Sequence, residues 1–168
     1  TVIEKNIQNH LKEDSNALVI GCGDSPMSHA MNEKYFNEVV SIDISPNVIN
    51  RMQERYKDER GLKWILMDCS KLDFPDNTFG YVFDKGTFDA ISCGINGDEI
   101  IAKSIEEIYR VLKPGGKFIQ TTYSPPSLRL PLMRKTKTGF FYHPTKMVGK
   151  LGSAHFFYIL EKVVPKTE

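Results

Sequence analysis

Strand-like and helix-like segments alternate along most of this chain, and that alternation leaves few folds open to it. Ala17-Leu18-Val19-Ile20 is a short apolar run closed by Gly21, the pattern of a strand buried on both faces. Ser25-Pro26 predicts a helix start: the serine caps, and the proline ring presets φ where the missing N–H would have no partner anyway. Glu38–Asp43 reads as a second strand. Ser45-Pro46 repeats the start signal and opens a helix with Val48, Ile49, Met52 and Tyr56 on one face. Leu62–Met67 and Phe79–Phe83 follow as strands. A further helix begins near Asp98, with Ile101, Ile105, Ile108 and Leu112 recurring every three or four residues, and Pro114-Gly115-Gly116 stops it. Lys117–Thr122 and the aromatic His155–Glu161 complete the strands, and Val2, Ile3, Ile7 and Leu11 have near-helical spacing at the start. Right-handed crossovers turn such a succession into a doubly wound α/β fold, a mostly parallel sheet with helices on both faces. With 168 residues, 40% of them hydrophobic, and neither repeat nor linker, residues 1–168 suit a single domain.

In such a sheet a ligand lies beyond the carboxyl ends of the strands, where the strand order reverses. Those ends carry a coordinated set: Gly21-Cys22-Gly23 after the first strand, Asp43 after the second, Asp68-Cys69 after the third and Asp84-Lys85 after the fourth. Gly21 and Gly23 let the turn run close under a ligand, where a Cβ would collide. Asp43, twenty residues past Gly23, stands where a carboxylate accepts both hydrogens of a ribose diol. A dinucleotide site calls for a third glycine at the position held by Pro26, and no Gly-Lys-Ser/Thr of a phosphate loop follows. S-adenosylmethionine remains as the common ribose ligand without a phosphate, with Asp68 placed to accept from its adenine amino group.

These residues resemble the class I S-adenosylmethionine-dependent methyltransferases from Ala17 through the fifth strand. Val19–Ser25, Ser41–Ser45, Met67–Pro75 and Asp84–Ala90 (Asp-Lys-Gly-Thr-Phe-Asp-Ala) are similar to the methyltransferase-like group. That group includes the endothelin-converting enzyme 2 associated domain and the elongation factor 1A lysine methyltransferases. The resemblance implies a Rossmann-like, seven-stranded sheet whose last strand is antiparallel. It implies that Gly21, Cys22 and Gly23 underlie the methionine and ribose, that Asp43 binds the ribose hydroxyls and that Ile44 packs on adenine. Asp68 and the Cys69 amide would read the adenine edge, and Asp84 and Lys85 would border the amino-acid moiety and the methyl. For a lysine acceptor, a carboxylate that orients the amine or takes its proton is expected, with Asp84 in that role and Tyr123 as a second wall residue. The resemblance also implies an N-terminal segment rich in Tyr, Trp and Arg that closes over the cofactor; this sequence begins without it, and either that segment is missing here or the site is more open.

Charge points to the partner. Residues 1–107 hold 11 basic and 19 acidic side chains, whereas residues 108–160 hold nine basic ones and no acidic one. That one-signed segment is expected to wall the acceptor side and dock a protein substrate with an acidic surface, a translation factor among the candidates. Direct nucleic-acid contact is left open by the same charges. Phe140, Phe141 and Tyr142 are candidate walls of a channel for a lysine chain, with at least one of them in the core. Cysteines at 22, 69 and 93 form neither a disulfide framework nor a metal set, no histidine has ligand spacing, and no uncharged stretch spans a bilayer. A cytoplasmic protein without a metal is the expectation. Two other readings compete: an aminopropyltransferase holding a diamine between Asp84 and Asp89, and a non-catalytic adenosylmethionine-binding docking module.

Overall fold

The computed structural model describes residues 15–149 and 154–163. The helical spacing at residues 2–12 lies outside the described residues. Along the first strand, β1 (Ser15–Ile20), apolar side chains point alternately to two separate cores. Leu18 and Ile20 join one, and Ala17 and Val19 join the other, which is why the run is apolar at every position.

One core is closed by α1 (Met27–Lys34) and α2 (Pro46–Arg55), which bury Met31, Ile49 and Met52. At α2 the start signal works as the sequence predicts: Pro46 occupies the first turn and the Ser45 hydroxyl accepts the Val48 N–H at 3.4 Å. α1 starts one residue later than expected. There Pro26 itself takes the capping position, and the Ser25 hydroxyl accepts only the Met27 N–H, at 3.3 Å. Trp64 of β3 (Leu62–Leu66) is buried in this core.

The opposite core is closed by α4 (Gly97–Val111), whose Ile101, Ile105, Ile108 and Val111 are fully buried. Before it lie β4 (Phe79–Lys85) and a six-residue helix, α3 (Thr87–Ser92), that the periodicity did not reveal. After it, β5 (Leu112–Thr122) begins at Leu112, ahead of Pro114-Gly115-Gly116. The helix ends at Val111, so those three residues do not stop it. They form an irregular entry to the strand, in which the chain advances from Leu112 to Lys117 while β4 advances from Phe79 to Tyr81.

α5 (Pro126–Arg134), β6 (Phe140–Tyr142), β7 (Lys146–Val148) and β8 (His155–Lys162) complete the described chain. The sheet runs β3-β2-β1-β4-β5-β8-β6, with β1 to β5 parallel and β8 antiparallel to β5. Seven strands were expected, and the sheet has eight. The seventh place is shared by β6 and β7, which pair with the two ends of β8. Between Tyr142 and Lys146 the chain advances four residues while β8 advances three, from Leu160 to Phe157, and this offset splits the edge in two. The order reverses between β1 and β4, so the carboxyl ends of β1, β2, β3 and β4 open on one cleft. Among the described residues no helix is long and apolar enough to cross a membrane.

Candidate active site

The loop after β1 is shaped by two left-handed glycines, Gly21 at φ +56° and Gly23 at φ +54°. A conformation that L side chains rarely adopt is needed twice within three residues. The Cys22 N–H donates to the Ile42 carbonyl at 3.0 Å, and the Gly23 N–H donates to Asp43 Oδ2 at 2.9 Å. The second Asp43 oxygen accepts the Ser45 N–H at 2.9 Å. The carboxylate that ends β2 thus ties the glycine loop to the start of α2.

Gly21, Asp43, Ile44, Cys69 and Lys85 line one cleft of about 270 Å³. Ile44, 73% exposed, offers it a bare apolar side chain. Cys22 is buried beneath the loop, and burial, with Asp43 adding to it, pushes its thiol up to about 12. Cys69 is pushed up to about 11, again chiefly by burial, and its sulfur lies 3.4 Å from the Ser104 hydroxyl. Asp68 is not one of the cleft's lining residues. Its side chain is exposed beside Met67 and Cys69, and one oxygen accepts the Ser70 N–H at 2.8 Å in a local turn.

Asp84 lies at the end of β4, where the strand pattern put it, with its side chain enclosed. It is 2% exposed, and both of its oxygens are engaged: Oδ1 accepts the Thr87 N–H at 2.8 Å, and Oδ2 accepts Gln120 Nε2 at 2.6 Å and the Phe88 N–H at 3.4 Å. Burial drives its carboxyl above the usual carboxylate range, and the bonds from Gln120, Thr87 and Phe88 pull the other way. An acid or base facing the transferring methyl was expected at Asp84. The structure has it sealed under the cleft as the carboxylate that receives the first N–H groups of α3. Asp89 points to different partners, Thr122 and Arg129, so the two carboxylates do not form the diamine clamp of the aminopropyltransferase reading.

Gly86, Thr87, Ala90 and Ile91 also line the cleft; Gly86 was legible as a strand-end residue, whereas Thr87, Ala90 and Ile91 were not singled out by the sequence. Gly86, at φ +81°, precedes α3, and the Thr87 hydroxyl donates to the Ile20 carbonyl at 2.9 Å. The signal was present in Lys85-Gly86-Thr87, where a glycine directly before a threonine marks a tight helix entry. Tyr123 is 65% exposed at the end of β5, its ring 4.3 Å from that of His155.

A family model described as a methyltransferase domain matches residues 18–120, from within β1 to within β5, and includes every residue that lines the cleft. The chain belongs to this methyltransferase family. Mouse EEF1A lysine methyltransferase 4 is 34% identical over 166 residues, 93% of this chain and 64% of its own length. The mouse eEF1A lysine and N-terminal methyltransferase is 36% identical over 67% of this chain and 17% of its own. The chain therefore spans less than two thirds of these curated relatives. The N-methyltransferase NodS of Bradyrhizobium japonicum, solved with S-adenosyl-L-homocysteine, superposes with a TM-score of 0.75 at 13% identity, over 96% of this chain and 83% of that one. The cofactor of the methyltransferase family is S-adenosylmethionine.

The aromatic triplet of this methyltransferase does not reach the cleft. Phe140 is buried edge-on against Tyr109, with ring centroids 4.9 Å apart, and Tyr142 lies under Arg134. Both belong to β6, which pairs with the Leu160–Lys162 end of β8, opposite the end where Thr122 meets Phe156. The short β7, with exposed Met147 facing Phe156, takes the place nearer Tyr123. The basic segment is also less free than its charge count implies. Arg110, Lys117, Arg129 and Lys135 pair with Glu107 and Asp76, Glu161, Asp89 and Asp98 respectively.

Proposed function

We propose that this chain carries the methyl-transferring site of a protein-lysine N-methyltransferase that modifies a translation elongation factor. The observation that carries the reading is its 34% identity, across 93% of its length, to a protein named for elongation factor 1A lysine methylation. The cleft fits the cofactor on its own terms. Ile44 offers an apolar platform of adenine type, and each Asp43 oxygen holds one backbone N–H with lone-pair capacity left for a ribose hydroxyl. Gly21, Cys22 and Gly23 would run under the methionine and ribose, the Cys69 amide would meet the adenine edge with Asp68 beside it, and Lys85 would border the amino-acid moiety.

The bound cofactor supplies a sulfonium methyl that is already activated. What remains for the protein is alignment and the exclusion of water. Tyr123, exposed at the end of β5, orients the acceptor amine. Asp84, enclosed by Gln120 and the start of α3, acts by holding that helix in place and takes no proton from the acceptor. The substrate presents an acidic surface to the basic residues that follow β5, among them exposed Arg134 and Lys137.

Incubating the protein with methyl-labelled cofactor and purified elongation factor 1A, then with a cell lysate resolved by mass, tests the reading. Label on a lysine of the elongation factor is the expected result. Cofactor binding without transfer to any protein would favour the docking-module reading instead.

A further inference from the structure

The second aspartate of Asp84–Ala90, Asp89, has no part in the cofactor cleft, yet its carboxylate holds a cluster of groups from the turn after β5. One oxygen accepts the Thr122 hydroxyl and, at 2.7 Å, Arg129 Nη2; the other accepts the Tyr123 N–H at 3.2 Å. The Thr122 oxygen in turn accepts the Ser124 N–H at 2.9 Å. We propose that Asp89 is a positioning residue for methyl transfer, fixing the acceptor wall after β5 to the helix that borders the cofactor. The proposal rests on the methyltransferase reading above and adds how donor and acceptor are held in register.

α3 has two working sides. Thr87, Ala90 and Ile91 line the cofactor cleft, while Asp89 reaches across to the β5–α5 turn that carries Tyr123. A single six-residue helix thereby sets the distance between the cofactor's seat and the residue that faces the acceptor. Charge keeps the link closed. Arg129 is 2% exposed, two of its guanidinium nitrogens have no partner, and Asp89 is the one carboxylate paired with it among the described residues. A buried guanidinium without its carboxylate is strongly disfavoured, so Asp89, Arg129 and Thr122 hold or release together. In-line transfer needs such a link, because a misplacement of about 1 Å costs on the order of a hundredfold in rate.

Thr122→Val removes the hydroxyl with almost no change of shape, and Thr122→Ser restores it. Asp89→Asn removes the charge. Three measurements apply to each variant: calorimetric affinity for S-adenosylhomocysteine, hydrogen exchange of the Tyr123 and Ser124 amides, and kcat and KM for the methylated protein. For Thr122→Val, affinity within about twofold of wild type, faster exchange at 123–124 and a roughly tenfold loss, mainly in kcat, are expected. Thr122→Ser returns both exchange and kcat toward wild type, and Asp89→Asn moves them further in the direction of Thr122→Val. Wild-type exchange and kinetics in Thr122→Val would overturn the proposal. So would a loss of cofactor affinity as large as the loss of turnover, which would make the network a support of the cleft alone. Exchange and cofactor affinity need no acceptor, so a wild type that labels no lysine would refute the functional reading and still leave Asp89 tested.

Discussion

The Thr87 hydroxyl donates to the Ile20 carbonyl at 2.9 Å, and a Cβ on Gly21 would stand 2.3 Å from the Thr87 hydroxyl oxygen. The start of α3 and the end of β1 therefore occupy one space, with a glycine on one side and a short hydroxyl on the other. Gly21 and Thr87 both line the cleft at that contact, which gives the two glycines of the loop different sensitivities.

Gly21→Ala combines a left-handed φ with the collision against Thr87, and a loss of about 3 kcal/mol is expected. At Gly23 nothing lies within 4 Å of the added methyl, so only the backbone strain of about 1 kcal/mol applies. Urea unfolding of both variants checks the order. Equal losses would contradict it.

Asp84→Asn separates a structural carboxylate from a catalytic one. The folded value of Asp84 lies above the unfolded one, so the folded state binds the extra proton. The carboxyl then weakens the fold progressively as pH rises from the ordinary value of 3.8 upward. Asparagine carries no charge and still accepts the Thr87 N–H; its NH2 loses the long Phe88 contact and donates to Gln120 Oε1 once the Gln120 amide turns over. The variant is expected to gain on the wild type in unfolding free energy between about pH 4 and pH 7, and to keep turnover within about threefold at saturating cofactor. A collapse of kcat with cofactor affinity intact would return the residue to the reaction.

Asp43→Ala and Ile44→Ser probe the two sides of the nucleoside seat. The first removes the acceptor of the Gly23 and Ser45 N–H groups, and affinity for S-adenosylhomocysteine is expected to fall by about a hundredfold, with some loss of stability. Ile44 is exposed, so its replacement is expected to weaken binding about tenfold while leaving the melting temperature unchanged. Calorimetry beside thermal melts distinguishes the two patterns.

Alkylation reads the cysteines. Cys22 and Cys69 are buried with thiols raised to about 12 and about 11, whereas Cys93 is exposed. Iodoacetamide at pH ~8 is expected to modify Cys93 alone in the folded protein, and all three once it is unfolded. Loss of Cys22 protection without unfolding would mean that the glycine loop opens on its own, and loss of Cys69 protection that the turn after β3 does.

Elements that state their own boundaries were legible in the sequence. β1 to β4 and α2 combine an apolar or periodic run with a glycine, an aspartate or a Ser-Pro cap at one end, and Gly21, Asp43, Cys69 and Lys85 follow as strand-end residues that the fold brings to one cleft, where Ile44, implied by the resemblance alone, joins them. α3 was missed because six residues make less than two turns and show no period, and β6 and β7 because three-residue strands show none either. The Pro-Gly-Gly turn misled because proline and glycine mark a break without saying whether the chain leaves a helix or bulges into a strand.

Position along the chain determined the doubly wound sheet and the glycine and aspartate ends of its strands, since those depend on local pattern and on the handedness of crossovers. Which carboxylate faces the cleft was decided only in three dimensions. Asp84 and Asp89 lie five residues apart in one motif, yet one is enclosed by Gln120 and the start of α3 while the other reaches Thr122 and Arg129. A side chain's direction depends on helix phase and on partners more than thirty residues away, and no local pattern encodes either.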